Sequence, residues 1–211
     1  MVMSPSIRKL ALTAHVISSI GWVGALAVFL AHSIVSVTSD DVQIVRAACL
    51  AMGLSAWFVI LPFSLASLAT GLLQAVGTAW GLLRHYWVVI KLLSTSVATA
   101  VLLLKLAPIS SLAAAAKTLS FTSSELLDLK TSLLAHAAGG LVVLLLATVL
   151  AIYKPAGITA RGVKAGLAAS EAGTPRWVKA FAIACLLLVL AVLALLHGAH
   201  GPAAAHIRAL P

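Results

Sequence analysis

The sequence has 211 residues, of which 62% are apolar and 9% are charged, and its mean hydropathy is +1.14. Soluble domains carry about 25% charged residues and about 45–50% apolar residues, so a soluble fold is excluded. A disordered chain is excluded too, because disorder requires low hydrophobicity. The apolar residues form long blocks of Leu, Ala, Val and Ile, unlike the short alternating segments of an outer-membrane barrel. The composition therefore predicts an all-α polytopic membrane protein that contacts the lipid bilayer.

The apolar blocks predict five membrane spans, because one span takes about 20 residues. We expect the spans at residues 10–35, 47–77, 87–107, 133–153 and 177–196. Pro62 predicts a kink in the second span and Pro108 predicts the end of the third. Residues 110–128 are expected to form a polar loop with a short surface helix.

Three parts follow from these spans. Residues 1–153 form a four-helix transmembrane core, residues 154–176 a basic cytoplasmic linker, and residues 177–211 a fifth, peripheral transmembrane helix with a short external tail. We expect the linker to be a solvated, lipid-facing loop.

The net charge of +9 does not indicate nucleic-acid binding, because the basic residues lie at span ends and in the linker. Such positions are typical of orientation signals and of contacts with anionic lipid. Arg8, Lys9, Arg84 and four basic residues of the linker fall on one predicted side, opposite four of the five acids. The positive-inside rule then predicts a cytoplasmic N-terminus and an external C-terminus.

Polar side chains recur at helical spacing within three of the predicted spans. His15 shares a helix face with Trp22, Gln74 lies near the cytoplasmic end of the second span, and Lys91 lies about one turn into the third. An ionisable side chain at the centre of a span costs at least about 2.5–3.5 kcal/mol, so each needs a partner inside the bundle. The alternating helix directions put His15, Gln74 and Lys91 at similar depth. They predict one cavity in the cytoplasmic half.

Two simpler interpretations of these residues stay open at this point. His15 is then a neutral imidazole bonded to a serine or a carbonyl, and Lys91 extends its stem to the near interface. No acid lies within any predicted span, so Lys91 has no obvious carboxylate partner in the protein. An anionic ligand, such as a propionate, would supply one.

A second group of histidines is expected near the outer face. His32 ends the first span, and His136 is followed by Gly139 and Gly140 on the same side of the fourth span. The gap above these glycines would admit a flat macrocycle or a crossing helix. His85 lies at the opposite, cytoplasmic end, six residues before Lys91, and is close enough to fold back toward a partly exposed macrocycle held by His15.

Three short motifs carry a family resemblance: HVISSIGWVGAL with His15 and Trp22, PFSLASLATG, and WVVIK with Trp87 and Lys91. Together they resemble the HemJ-type protoporphyrinogen IX oxidases and the related copper-resistance D-type membrane domains, over roughly residues 8–153. The whole chain, including GTAWGLLRHYWVVIKLL and LATVLAIYKPAG, is similar to an uncharacterised family of actinobacterial predicted integral membrane proteins. In the oxidases, a histidine on the first span and a lysine on the third are the functional pair, and haem b is bound.

The resemblance implies a haem-b-binding membrane redox protein, an oxidoreductase related to protoporphyrinogen oxidase. His15 would be an axial ligand of the haem iron or a substrate-site residue, and Lys91 would pair with a propionate. We expect a cofactor site with a porphyrin or a quinone as small-molecule partner, and its remaining residues to be Trp22, Gln74, His85, His136 and Gly140. Two other functions stay open: a cofactor-free membrane subunit, and a small permease or metal-handling protein. A homo-oligomer is compatible with each of the three.

Overall fold

The computed structural model describes residues 3–78, 80–118, 124–166, 174–181, 183–184 and 187. Within these ranges the chain is helical, and it contains no β-strand beyond one isolated bridge. The helices are listed in chain order: α1 (Pro5–Thr38), α2 (Val42–Ser55), a π-helical turn (Ala56–Ile60), α3 (Leu61–Gly77), α4 (Tyr86–Ala115), α5 (Ser124–Tyr153) and α6 (Ala160–Lys164). The prediction of an all-α protein is confirmed.

Four helices are long and apolar enough to cross a membrane: α1, the continuous helix Val42–Gly77, α4, and α5. They correspond to the first four predicted spans and indicate a multi-pass membrane protein. Most of the fifth predicted span, and the whole external tail, lie outside the described residues.

The four long helices form a closed bundle. Helix α1 packs against α2, α3 and α5, and α4 packs against α5 and against the α2–α3 helix. Large side chains fill the centre of the bundle: Trp22, Phe29, Met52, Ile60, Leu112 and Leu133. Many leucines, isoleucines and valines instead point outward, which is the arrangement expected of a bundle surrounded by lipid.

Helices α1 and α2 begin about five residues before the predicted spans. The spans were predicted from apolar blocks alone, whereas capping residues set the helix starts. Helix α1 begins at Pro5, with Ser4 as its N-cap and proline at the first turn, where its missing N–H costs nothing. Helix α2 begins at Val42, where the Asp41 carboxylate accepts from the backbone N–H of Gln43 at 2.7 Å. The helices therefore extend beyond their apolar blocks.

The prediction that Pro108 ends the third span is wrong. Helix α4 continues through this proline to Ala115. A proline removes one backbone hydrogen bond, but Leu106, Ile109 and Leu112 on either side of it are buried in the core. Their packing holds the helical path through Pro108, and prolines are tolerated in membrane helices for the same reason.

The polar loop predicted at residues 110–128 is also shorter in the structure. Helix α5 begins at Ser124 and not near residue 133. Leu126 and Leu129, on its first turns, pack against the central cluster, so tertiary packing makes a helix of a polar segment.

Pro62 in the second span follows the π-helical turn Ala56–Ile60 within an otherwise continuous helix. A π-turn is a local irregularity that membrane helices use to accommodate a proline. The kink expected at Pro62 stays a prediction.

The start of α1 and two connecting segments lie together at one end of the bundle, which we call the basic end. It comprises the start of α1, Thr78 with residues 80–85, and residues 154–164. The backbone N–H of Met3 donates to the Gly77 carbonyl at 3.1 Å, and that of Thr159 donates to the Arg84 carbonyl at 3.0 Å. The first part of the predicted linker therefore packs against the bundle instead of forming a solvated loop, and Ile158 within it is buried.

Candidate functional site

His15 lies on α1 with both ring nitrogens engaged. Its Nδ1 lies 3.1 Å from the Ser67 carbonyl oxygen and 3.1 Å from Thr70 Oγ1, and its Nε2 lies 3.0 Å from Lys91 Nζ. A carbonyl oxygen only accepts, so this network assigns the ring proton to Nδ1 and leaves Nε2 to accept from the lysine. Three different helices thus fix one imidazole in one tautomer.

Further polar contacts tie α1 to α3 around this histidine. Ser19 Oγ and Ser67 Oγ are 2.8 Å apart, and the Gln74 amide donates to the Ala11 carbonyl at 3.1 Å. Inside a membrane such groups have no water to bond, so they bond across the helix interface. These contacts hold the two helices in register and keep the His15 ring in place.

Gly71 allows the His15 ring to approach α3. A Cβ at this position would lie 3.1 Å from His15 Cε1, which is closer than ordinary van der Waals contact. The glycine lies one turn after Ser67 on α3, so its bare backbone forms part of the surface against which the ring rests. Gly71 is needed here for space and not for an unusual backbone conformation.

We expect Gly71→Ala to displace the His15 ring and lower the thermal stability of the protein in detergent. Overpacking of this kind costs about 1–3 kcal/mol, and because both sides of the His15 ring are bonded we expect this cost to exceed the gain of about 1 kcal/mol that alanine brings to a helix. The matched control is Gly24→Ala on α1, where an added Cβ meets nothing within 4 Å. The control should melt at or above the temperature of the unmodified protein, because alanine favours a helix more than glycine does. Equal melting of the two variants would contradict this role for Gly71.

The His15–Lys91 pair lies in the wall of a cavity of about 770 Å³, which receives side chains from α1, α3, α4 and α5. Most of the lining is apolar. Its charged residues, within the part of the chain that the structure describes, are Arg8, Lys91 and Lys154, and no Asp or Glu joins them. The cavity is therefore a mainly apolar space with three cationic side chains around it.

Aromatic rings form the rim of this cavity at the basic end. Trp80 and Trp87 pack edge to face with ring centroids 5.4 Å apart, and Lys154 Nζ lies 5.3 Å from the Trp80 ring centroid. Lys154 directly follows α5 and has a φ of 43°, a conformation that side-chain-bearing residues rarely adopt. This turn brings its side chain back over the mouth of the cavity.

The structure brings together four of the residues predicted for the site: His15, Trp22, Gln74 and Lys91 all line the cavity. The other three do not line it. His85 lies beside the rim, where Nδ1 is 2.9 Å from the Trp80 carbonyl oxygen. His136 bonds to the Ser132 carbonyl of its own helix, and Gly140 faces Leu26. The gap next to Gly140 is thus filled by a neighbouring helix.

No role in the site is predicted from the sequence for Arg8, Trp80 or Lys154, although Arg8 and Lys154 are used to predict the orientation. These residues lie far apart in the chain and carry no spacing signal that relates them to His15. Trp80 belongs to the motif GTAWGLLRHYWVVIKLL, which was the one available signal for it.

No group of three histidine, cysteine, aspartate or glutamate side chains able to hold a bare metal ion occurs among the described residues. Comparisons with models of known protein families, with curated proteins and with solved structures found no match. The function of the cavity is therefore inferred from its own chemistry.

Proposed function

We propose that this protein is a multi-pass membrane redox protein that binds one haem b in the cavity beside His15 and Lys91. The observation that carries the proposal is the hydrogen bonding of His15. Its Nδ1 bonds to the Ser67 carbonyl, while Nε2 accepts from Lys91 in the cavity wall. Histidines that ligate a metal characteristically donate their other ring N–H to a carbonyl or a carboxylate, which fixes the tautomer and makes the ligating nitrogen more basic.

The lining of the cavity fits this cofactor. Haem combines a large apolar macrocycle with two carboxylates, and the cavity combines apolar walls with three cations and no acid among its described lining residues. Its volume of about 770 Å³ falls within the range of about 300–1,000 Å³ typical of small-molecule sites. His15 Nε2 would hold the iron, and Lys91, Arg8 and Lys154 would hold the carboxylates. When bound, haem would supply one-electron chemistry.

The lining also explains why one haem is proposed and not two. His15 is the one histidine in the described lining, whereas His32 bonds to the Val28 carbonyl of its own helix. His136 likewise bonds within α5. Both contacts use Nδ1, so the proposal of a single haem rests on the absence of His32 and His136 from the described lining of the cavity.

Lys91 has a role of its own in this proposal. Its Nζ donates to His15 Nε2, so the lysine occupies the nitrogen that the iron would take. A ligand carboxylate would offer Lys91 a charged acceptor in place of the neutral imidazole, and charge-assisted hydrogen bonds are the stronger kind. Binding of the carboxylate and release of Nε2 would then favour each other.

Part of the cavity wall is exposed to lipid, which supports a ligand that dissolves in the bilayer. Ile20, Leu145 and Ile152 line the cavity, and 67%, 48% and 70% of their respective surfaces are exposed. They lie on α1 and α5, so this part of the lining is also exposed on the outer surface of the bundle. A porphyrin or another flat, apolar ligand would reach His15 from the membrane.

We propose further that the protein lies in a bacterial plasma membrane with the basic end in the cytoplasm and residues 177–196 as a fifth span. The concentration of arginine and lysine at this end supports the orientation through the positive-inside rule. In a background without Cys49 and Cys185, an impermeant thiol reagent should modify Arg161→Cys from the cytoplasmic side alone and Asp40→Cys from the outside alone. The reverse pattern would contradict the orientation.

Titration of the purified protein with haem tests the proposed function. The expected result is a saturable Soret band at one haem per chain, unlike the broad absorbance of haem dissolved in detergent micelles. The same titration of an unrelated four-helix membrane protein controls for partitioning into the micelle. A featureless, non-saturating titration would contradict haem binding and favour a cofactor-free membrane subunit.

A further inference from the structure

A second concavity, of about 330 Å³, lies at the basic end and shares only Ala75 with the described lining of the His15 cavity. Its lining comes from the end of α3, from the turn of residues 81–84, and from α6. Its charged residues are Arg84 and Arg161, and no acid occurs in its described lining. We call it the arginine cleft.

Two glycines give the arginine cleft its shape. The Arg84 side chain folds over Gly81, since a Cβ at Gly81 would lie 2.6 Å from Arg84 Cδ. Gly81 has a φ of 65°, so an alanine would be strained there for a second reason. At Gly162, a Cβ would lie 2.5 Å from the Arg84 carbonyl oxygen, and only a glycine lets α6 approach the turn this closely.

Thr159 fastens the two segments together. Its backbone N–H donates to the Arg84 carbonyl at 3.0 Å, and its hydroxyl donates to the Leu83 carbonyl at 2.5 Å. The same hydroxyl accepts from the Gly162 N–H and caps α6. Arg84 and Arg161 are 77 positions apart in the sequence, and the hydrogen bonds of Thr159 bring them to one cleft.

The chemistry of the arginine cleft selects a phosphate group. Guanidinium groups bind phosphate oxygens through two parallel hydrogen bonds, and two guanidiniums on one concave surface surround a single anion. With no acid in the described lining, nothing there neutralises this pair.

The neighbouring surface of α3 indicates that the phosphate belongs to a lipid. Val76 lines the cleft and is 65% exposed, and Leu65, Leu72 and Leu73 continue an exposed apolar stripe along the helix toward the bilayer centre. An acyl chain attached to a phosphate in the cleft would lie along this stripe. We propose that the arginine cleft binds the headgroup of an anionic phospholipid, with its acyl chain on α3.

Native mass spectrometry of the delipidated protein with phosphatidylglycerol tests this proposal. Bound phosphatidylglycerol should survive in the wild type and fall by about tenfold or more in the variant Arg84→Gln/Arg161→Gln, because each lost charge-assisted pair contributes strongly to binding. Arg84→Lys/Arg161→Lys keeps both charges and loses the planar fork, so it should retain an intermediate amount.

The matched control is Lys9→Gln/Lys164→Gln, which removes the same charge from the same end of the bundle without touching the cleft lining. It should bind as the wild type does, and thermal melts would show that all variants remain folded. Equal losses in control and cleft variants would overturn the proposal in favour of general charge attraction. Binding of inorganic phosphate as tightly as phosphatidylglycerol would show that the acyl chain adds nothing, and would overturn the lipid as the source of the phosphate. Both outcomes are independent of whether haem binds at His15.

Discussion

Replacing His15 by alanine is expected to abolish the Soret band of the haem-loaded protein. His15 is the one histidine in the described lining of the cavity, and its ring is fixed by Ser67 and Lys91. No cysteine or methionine in that lining offers another strong iron donor. Without the imidazole, the porphyrin should keep only its carboxylate and apolar contacts, so the spectrum should resemble the broad absorbance of haem in detergent, and the measurement is the titration in the visible spectrum.

Chemical rescue sharpens this experiment. His15→Gly leaves a hole of imidazole size between Ser67 and Lys91, and free imidazole in the buffer should restore a large part of the band. His32→Ala and His136→Ala serve as matched controls, because these histidines bond within their own helices and lie outside the cavity lining. Both controls should give the wild-type spectrum.

Two other Soret intensities in His15→Ala would each contradict a different part of the proposal. A Soret band of full intensity in His15→Ala would exclude His15 as the ligand. A band of half intensity would contradict the single haem and indicate a second site, with His32 and His136 as the residues to replace next. In either case the helical content, measured by circular dichroism, should match that of the wild type.

Replacing Lys91 by methionine should weaken the binding of porphyrin carboxylates by about tenfold to a hundredfold. A hydrogen bond to a charged partner contributes about 1.5–3 kcal/mol, and the lysine is the deepest cation in the cavity wall, bonded to His15. The probe is iron-free protoporphyrin IX, because Lys91→Met also frees His15 Nε2 and would change iron binding separately. Quenching of the porphyrin fluorescence measures the affinity.

The dimethyl ester of protoporphyrin IX, in which both carboxylates are blocked, tests whether Lys91 recognises the carboxylates. The wild type should prefer the free diacid to the ester, and Lys91→Met should lose most of this preference. Lys105→Met is the matched control on the same helix, where Lys105 Nζ lies 3.4 Å from Ser132 Oγ and the residue lines no part of the cavity. A preference that is unchanged in Lys91→Met would contradict carboxylate recognition by this lysine.

The helical membrane architecture could be predicted from the sequence because it depends on local properties. A run of apolar residues long enough to cross the bilayer forms a helix there, since a helix satisfies all its backbone hydrogen bonds within the one segment. The same constraint made His15, Gln74 and Lys91 recognisable, because polar side chains inside spans must face one another. The antiparallel order of successive spans then put the three at one depth, and in the structure they line one cavity.

Helix ends could not be predicted equally well, because packing between distant segments decides them. Helix α4 passes through Pro108 since Leu106, Ile109 and Leu112 are buried on either side of it. Helix α5 begins at Ser124 because its first leucines contact the core. Neither contact is visible in the local pattern of apolar and polar residues.

The sequence by itself determined that this chain is a bundle of apolar helices with a histidine and a lysine inside it, since burial of polar groups in lipid follows from composition and spacing. Tertiary structure alone decided which nitrogen of His15 faces Lys91, because the Ser67 carbonyl that fixes the ring comes from another helix. Tertiary structure also decided that Arg84 and Arg161 line one cleft. Arg84 and Arg161 meet only because Thr159 and Gly162 dock one chain segment on another, and such long-range contacts leave no periodic signal in the sequence.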